Sequence, residues 1–176
     1  MPEPVAPLPI RADHGETAGE LALEIDPTRF YDADYIPVLA ALVLAIIAAE
    51  SPITLRRLAR LVARRHGFQR TGREIMRVVR ETAERLARIT LSGDGDDVLW
   101  AVGTVPAPTM SYRGPSVSDE PRTWAETPHP EKLGFALAFL DQADPARAMA
   151  DALKLGRLTA PTRQEFEALM ADARRL

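Results

Sequence analysis

Residues Val38–Ala49 read VLAALVLAIIAA, twelve side chains without a polar group. This run constrains the fold more than anything else in the chain. It falls short of the roughly 20 apolar residues that cross a bilayer. It is also long for a strand, so it predicts a buried helix from Tyr35 to Glu50 around which the rest must pack. Pro37 is compatible because it falls in the first turn, where its missing N–H costs nothing. With 46% apolar residues, a core is expected in only part of the 176-residue chain. Residues 1–31, with Pro2, Pro4, Pro7 and Pro9, read as a flexible tail.

The elements after the apolar helix come in a definite order. Ser51-Pro52 stops it, and Pro52-Ile53 reads as a short extended piece. Thr54 is placed to cap a second helix running to about His66, with Leu55, Leu58, Ala59 and Val62 on one face and Gly67 as its stop. Thr71-Gly-Arg-Glu74 has capping-box spacing and predicts a third helix to about Arg88. Two short apolar runs, Ile89–Leu91 and Val98–Val102, flank SGDGDD and predict a hairpin. Helix, extended piece, helix, tight turn, helix, hairpin is the order of a winged helix-turn-helix. The expected fold is mainly α: a winged helix-turn-helix over residues 32–103, a Pro-rich linker over 104–130, and extra C-terminal helices over 131–176. The last helix is expected to open with a capping box at Thr162–Glu165 and to bury Phe166, Leu169, Met170 and Ala173 along one stripe.

Charge is distributed unevenly. The net formal charge is −3, yet residues 51–90 hold eleven Arg and three Glu. On the second helix Arg57, Arg60 and Arg64 recur at helical spacing; on the third, Arg73, Arg77 and Arg80 do the same. Both sets stand opposite the apolar stripes and are expected to face solvent, with Arg70 at the entry turn. A planar guanidinium pairs with phosphate or with guanine edges, and the second helix of the motif enters the major groove by its N-terminal half. The candidate nucleic-acid-binding residues are therefore Arg57, Arg60, Arg64, Arg70, Arg73, Arg77 and Arg80. A solvated helix face, or a surface for an acidic protein, would look similar. The acidic hairpin tip Gly93–Asp97 argues against a wing in the minor groove.

Other chemistry finds little support. The absence of Cys excludes disulfides and thiol catalysis and suits a reducing cytoplasm, and no secretory leader precedes the first helix. His14, His66 and His129 lack metal-ligand spacing, and His66 reads as a helix-end cap or dipole partner. Asp94, Asp96 and Asp97 lack the Glu that a calcium loop needs, and there is no phosphate-binding GxxxxGK loop. No catalytic constellation, metal or cofactor is expected.

Glu50-Ser-Pro-Ile53, Leu58-Ala-Arg-Leu-Val62, Gly67-Phe-Gln-Arg70-Thr-Gly-Arg73 and Asp97-Val-Leu-Trp100 follow one another in an order that resembles the bacterial domain of unknown function 3320. The likeness covers about residues 34–102. Ile75 stands one position later than the usual Arg-Ile, and Val98 replaces a usual Phe. The resemblance implies an accessory domain of large superfamily-one DNA helicases, here without helicase or nuclease parts, and supplies no catalytic residues. Three readings follow: a non-enzymatic DNA-binding module gripping the phosphate backbone; a module docking on a separately encoded helicase or nuclease; and a dimeric transcriptional regulator, a homodimer joined through its C-terminal helices.

Overall fold

Helix α1 (Ile36–Glu50) forms where the apolar run predicts it, but it is not wrapped on all sides. In the computed structural model, which describes residues 23–91 and 95–176, Leu39, Leu42, Val43, Ile47 and Glu50 are buried. Ile36 and Leu44 remain 43% and 42% exposed. The expected central helix is thus half core and half apolar surface, because α2 and α3 pack against it from one side and two helices cannot enclose a third. With the turn before it, Ala33–Glu50 reaches 18 residues at a mean hydropathy of 1.9, long and apolar enough to cross a membrane by composition alone; a third of it is buried within the fold. Most of the expected N-terminal tail, residues 1–22, lies outside the described residues.

Strand β1 (Ile53–Thr54) follows a cis Ser51–Pro52 bond. Helix α2 (Leu55–Arg65) starts as expected, with the Thr54 hydroxyl accepting from the Arg57 N–H at 3.2 Å. Its end is closed by Gly67 at φ +72°: Gly67 N–H donates to the Arg64 carbonyl and Phe68 N–H to the Ala63 carbonyl, bonding carbonyls of the last turn. His66 closes α2 as the expected cap residue and is buried, with Nδ1 2.8 Å from the Val62 carbonyl and Nε2 3.0 Å from the Tyr35 hydroxyl.

Helix α3 (Arg73–Glu84) starts one residue later than a Thr71 cap requires. Gly72 is the cap residue, Glu74 falls at the second position instead of the third, and the capping box does not form. The helix also stops before Arg88, because Arg88–Leu91 is strand β2 and pairs with β3 (Asp97–Trp100). The antiparallel sheet runs β1-β3-β2, with Leu99 between Ile53 and Ile89. Central in the sheet, β3 has both faces covered, and Val98, Leu99 and Trp100 are all buried. Leu99 joins α1, α2 and α3 in the first hydrophobic core.

A second core gathers α4 (His129–Leu137), α5 (Pro145–Ala152) and α6 (Ala160–Ala173) around Leu133, Met149, Phe166, Leu169 and Met170. Asp144 caps α5 through the Arg147 N–H, as its Asp-Pro start suggests. Helix α6 begins at Ala160 with Thr159 as cap, so the expected box at Thr162–Glu165 lies inside the helix. The stripe Phe166, Leu169, Met170 and Ala173 is buried against the chain's own helices. The molecule is mainly helical with one small three-stranded sheet.

Candidate nucleic-acid interface

Four of the five arginines of α2 lie within an arc of about 100° when wound at 3.6 residues per turn, in the order Arg56, Arg60, Arg64, Arg57, with Arg65 outside it. The expectation that this arc faces solvent fails at Arg57. Its side chain is fully buried, with Nε 2.5 Å from Glu50 Oε2 and Nη2 2.8 Å from Glu50 Oε1, a bidentate pair that welds α2 to the end of α1. Nη2 also donates to the Glu120 carbonyl and to Ser118 Oγ. Arg57 is therefore removed from the candidate contacts. The reason is tertiary: besides Glu50 at the end of α1, its partners Ser118 and Glu120 lie more than sixty positions downstream.

Those residues form a strap along α2. Arg60, 26% exposed, binds Glu126 through Nε and Nη2, Glu120 at 3.3 Å and the Pro121 carbonyl at 3.1 Å. It too is engaged inside the molecule instead of facing solvent. Arg64 stays 59% exposed, with Nε 3.5 Å from Glu120 Oε2. The strap is itself anchored at α4. Glu131, fully buried, accepts from Arg122 at 2.5 and 3.0 Å and from Arg113 at 2.7 and 3.0 Å. Arg113 reaches on to the carbonyls of Glu50, Ser51 and Pro52. Gly134 lets the strap pass, since a Cβ there would stand 1.9 Å from the Met110 carbonyl oxygen.

Three carboxyls in this network titrate below the usual range. Burial pushes each of them up, but hydrogen bonds outweigh it: from Arg57 and Ser118 at Glu50, from the Thr123 backbone and Arg60 at Glu126, and from Arg122 and Arg113 at Glu131. All three are charged at neutral pH, so the arginines they hold are neutralised where they stand.

The α3 side differs. Arg70 and Arg73 are exposed and make no ion pair or hydrogen bond among the described residues. Arg77 is exposed between Glu81 at 2.8 Å and Glu74 at 3.1 Å, pairs along its own helix that hold it still more firmly protonated. Arg80, 45% exposed, pairs with the buried Asp97 at the base of the hairpin. The hairpin tip is partly outside the described residues, at positions 92–94, but Asp96 lies 3.6 Å from Arg56. Two of the acidic residues read as a repulsive wing tip are thus turned toward basic groups of their own domain.

Sequence reasoning missed Glu50, Glu120, Glu126, Glu131, Arg113 and Arg122. A signal was present in the charge balance, since a block this rich in Arg within an acidic chain has carboxylates available elsewhere to meet it. Trp124 sits with Tyr112, Phe135 and Phe166 in edge-on contacts, and Trp100 is buried, so neither offers a free stacking face. No cluster of His, Asp and Glu able to hold a metal occurs among the described residues. Beside α1, a groove of about 550 Å³ is lined by Leu42, Ala45, Ile46, Ala49, Leu61 and Arg65, among others.

No curated protein and no solved structure matches the chain. Residues 28–77, from the turn before α1 through the first turn of α3, match the model of the family described as a protein of unknown function (DUF3320), so the likeness read from the sequence holds over this stretch.

Proposed function

We propose that residues 32–103 are a winged helix-turn-helix and that the protein is a non-enzymatic nucleic-acid-binding module, an accessory to a DNA-processing helicase or nuclease. The β1-β3-β2 sheet order, the tight turn after α2 and the exposed α3 support the fold reading. The observation that carries the functional reading is the face formed by the entry turn and α3. There Arg70, Arg73, Arg77 and Arg80 remain exposed, and Arg70 and Arg73 carry no carboxylate partner among the described residues. Exposed pairs such as Arg77–Glu81 are screened by water and contribute little, so a phosphate can compete for them. Arg64 is also exposed, beside Glu120 of the strap; Arg57 and Arg60 do not contribute in the form described. Glu74, Glu81 and Glu84 lie on the same helix, which limits the affinity this face provides alone.

The double substitution Arg73→Glu with Arg77→Glu tests the reading. Retention of a mixed-sequence duplex at low salt should be abolished, with the thermal unfolding curve nearly unchanged. Undiminished retention would reject α3 as the contact.

A second reading, docking on a protein partner, is favoured by α1. Its exposed face, with Ile36, Leu44 and Ala48, carries no charge and borders the groove beside α1, apolar on the helix side and lined by Ser118, Asp119 and Glu120 on the other. Binding to a helicase or nuclease partner that survives high salt and is lost in Leu44→Lys would support it. Binding indifferent to Leu44→Lys would exclude this face.

A further inference from the structure

A single carboxylate oxygen lies between two successive arginines of α2. Glu120 Oε2 is 3.3 Å from Arg60 Nη1 and 3.5 Å from Arg64 Nε. Arg60 and Arg64 are one helical turn apart, and a nucleic-acid phosphate oxygen bridging two guanidinium groups would take the same place. The other strap carboxylate, Glu126, is 6% exposed and also caps the turn at Thr123, so it is built into the fold. Glu120 differs. Its side chain is 37% exposed, and the strap is held by its backbone carbonyl on Arg57 and not by its carboxylate. The carboxylate is therefore dispensable for anchoring, yet it covers the part of the α2 stripe nearest solvent.

We propose that Glu120 is an internal stand-in for a backbone phosphate: it masks Arg64 and the Nη1 edge of Arg60, whose Nε and Nη2 stay on Glu126, and α2 adds this edge to the α3 face in gripping nucleic acid only when this carboxylate is displaced. The inference rests on the nucleic-acid reading above and adds to it a device that sets affinity. An exposed ion pair is cheap to exchange, so a polyanion of higher charge density can replace the glutamate without unfolding the strap. Each phosphate engaged also releases counterions, which steepens the salt dependence.

The test uses the full chain and a mixed-sequence DNA duplex, with binding titrated from low to moderate salt. Glu120→Gln keeps size and backbone but removes the charge. It should bind about three- to tenfold more tightly than the parent, the worth of one or two exposed charge pairs. Its log–log salt slope should steepen by roughly one to two. Asp119→Asn changes net charge equally at an exposed neighbour that makes no ion pair or hydrogen bond among the described residues, and should leave both nearly unchanged. Arg64→Ala added to Glu120→Gln should cancel most of the gain. Equal tightening by Glu120→Gln and Asp119→Asn means bulk charge alone and overturns the inference. So does an unchanged Glu120→Gln when the parent binds and Arg73→Glu/Arg77→Glu does not, which leaves the functional reading standing. Absence of binding by both parent and Glu120→Gln overturns the two together.

Discussion

Helices α2 and α3 carry nearly the same arginine spacing and meet opposite fates. Arg57 and Arg60 on α2 are drawn into carboxylates from α1 and the strap, whereas Arg73 and Arg77 on α3 remain at the surface with local partners or none among the described residues. Helical spacing decides which side of a helix a residue occupies. It does not decide whether that side meets water or another segment of the chain. Between these helices the second outcome was set by residues 113–131, which cover α2 and leave α3 open.

The sharpest way to break this contrast is to remove one partner of a buried pair on the α2 side. Arg57→Ala leaves Glu50 charged and enclosed, and Glu131→Ala leaves Arg122 so; each should cost about 3–5 kcal/mol in denaturant unfolding. A loss under about 1 kcal/mol would show that the strap is not held as described. Gly134→Ala attacks the same contact sterically, through the Met110 carbonyl. It should cost about 1–3 kcal/mol, with faster amide exchange at residues 108–124 as the local readout.

Acid provides a gentler probe. Glu50, Glu126 and Glu131 have folded-state values below their ordinary 4.5, so the unfolded chain binds more protons as pH falls. The stability they contribute is complete above about 4.5 and is lost as pH drops through their lowered values. Trp124 fluorescence should report the strap loosening in that window, and Glu126→Gln should flatten the response. The smallest effect belongs to α3: Arg77→Ala should leave the unfolding midpoint nearly unchanged, because both its pairs are exposed. A loss comparable to that of Arg57→Ala would erase the distinction between the two helices.

Much of the local structure was legible beforehand. Thr54 and Gly67 marked the ends of α2, Asp144-Pro145 the start of α5, and the Gly/Asp cluster the hairpin. These signals are readable because a cap or a positive φ is satisfied within a few residues. Thr71 and Thr162 misled for a related reason. The capping-box spacing was there, but neighbouring residues offered an alternative start, Gly72 in one case and Thr159 in the other.

By itself, then, the sequence determined the helices of the first core, the hairpin and the positions of the basic stripes, all consequences of periodicity and short-range hydrogen bonding. Only the tertiary structure decided that the apolar helix α1 keeps one face open, and that the Pro-rich stretch becomes a strap whose carboxylates neutralise α2. The second outcome depends on contacts between residues some sixty positions apart, such as Arg57 with Glu120 and Arg60 with Glu126, and the first on how α2 and α3 pack against α1. No local pattern encodes such a meeting, because a carboxylate finds its guanidinium through the path of the whole chain.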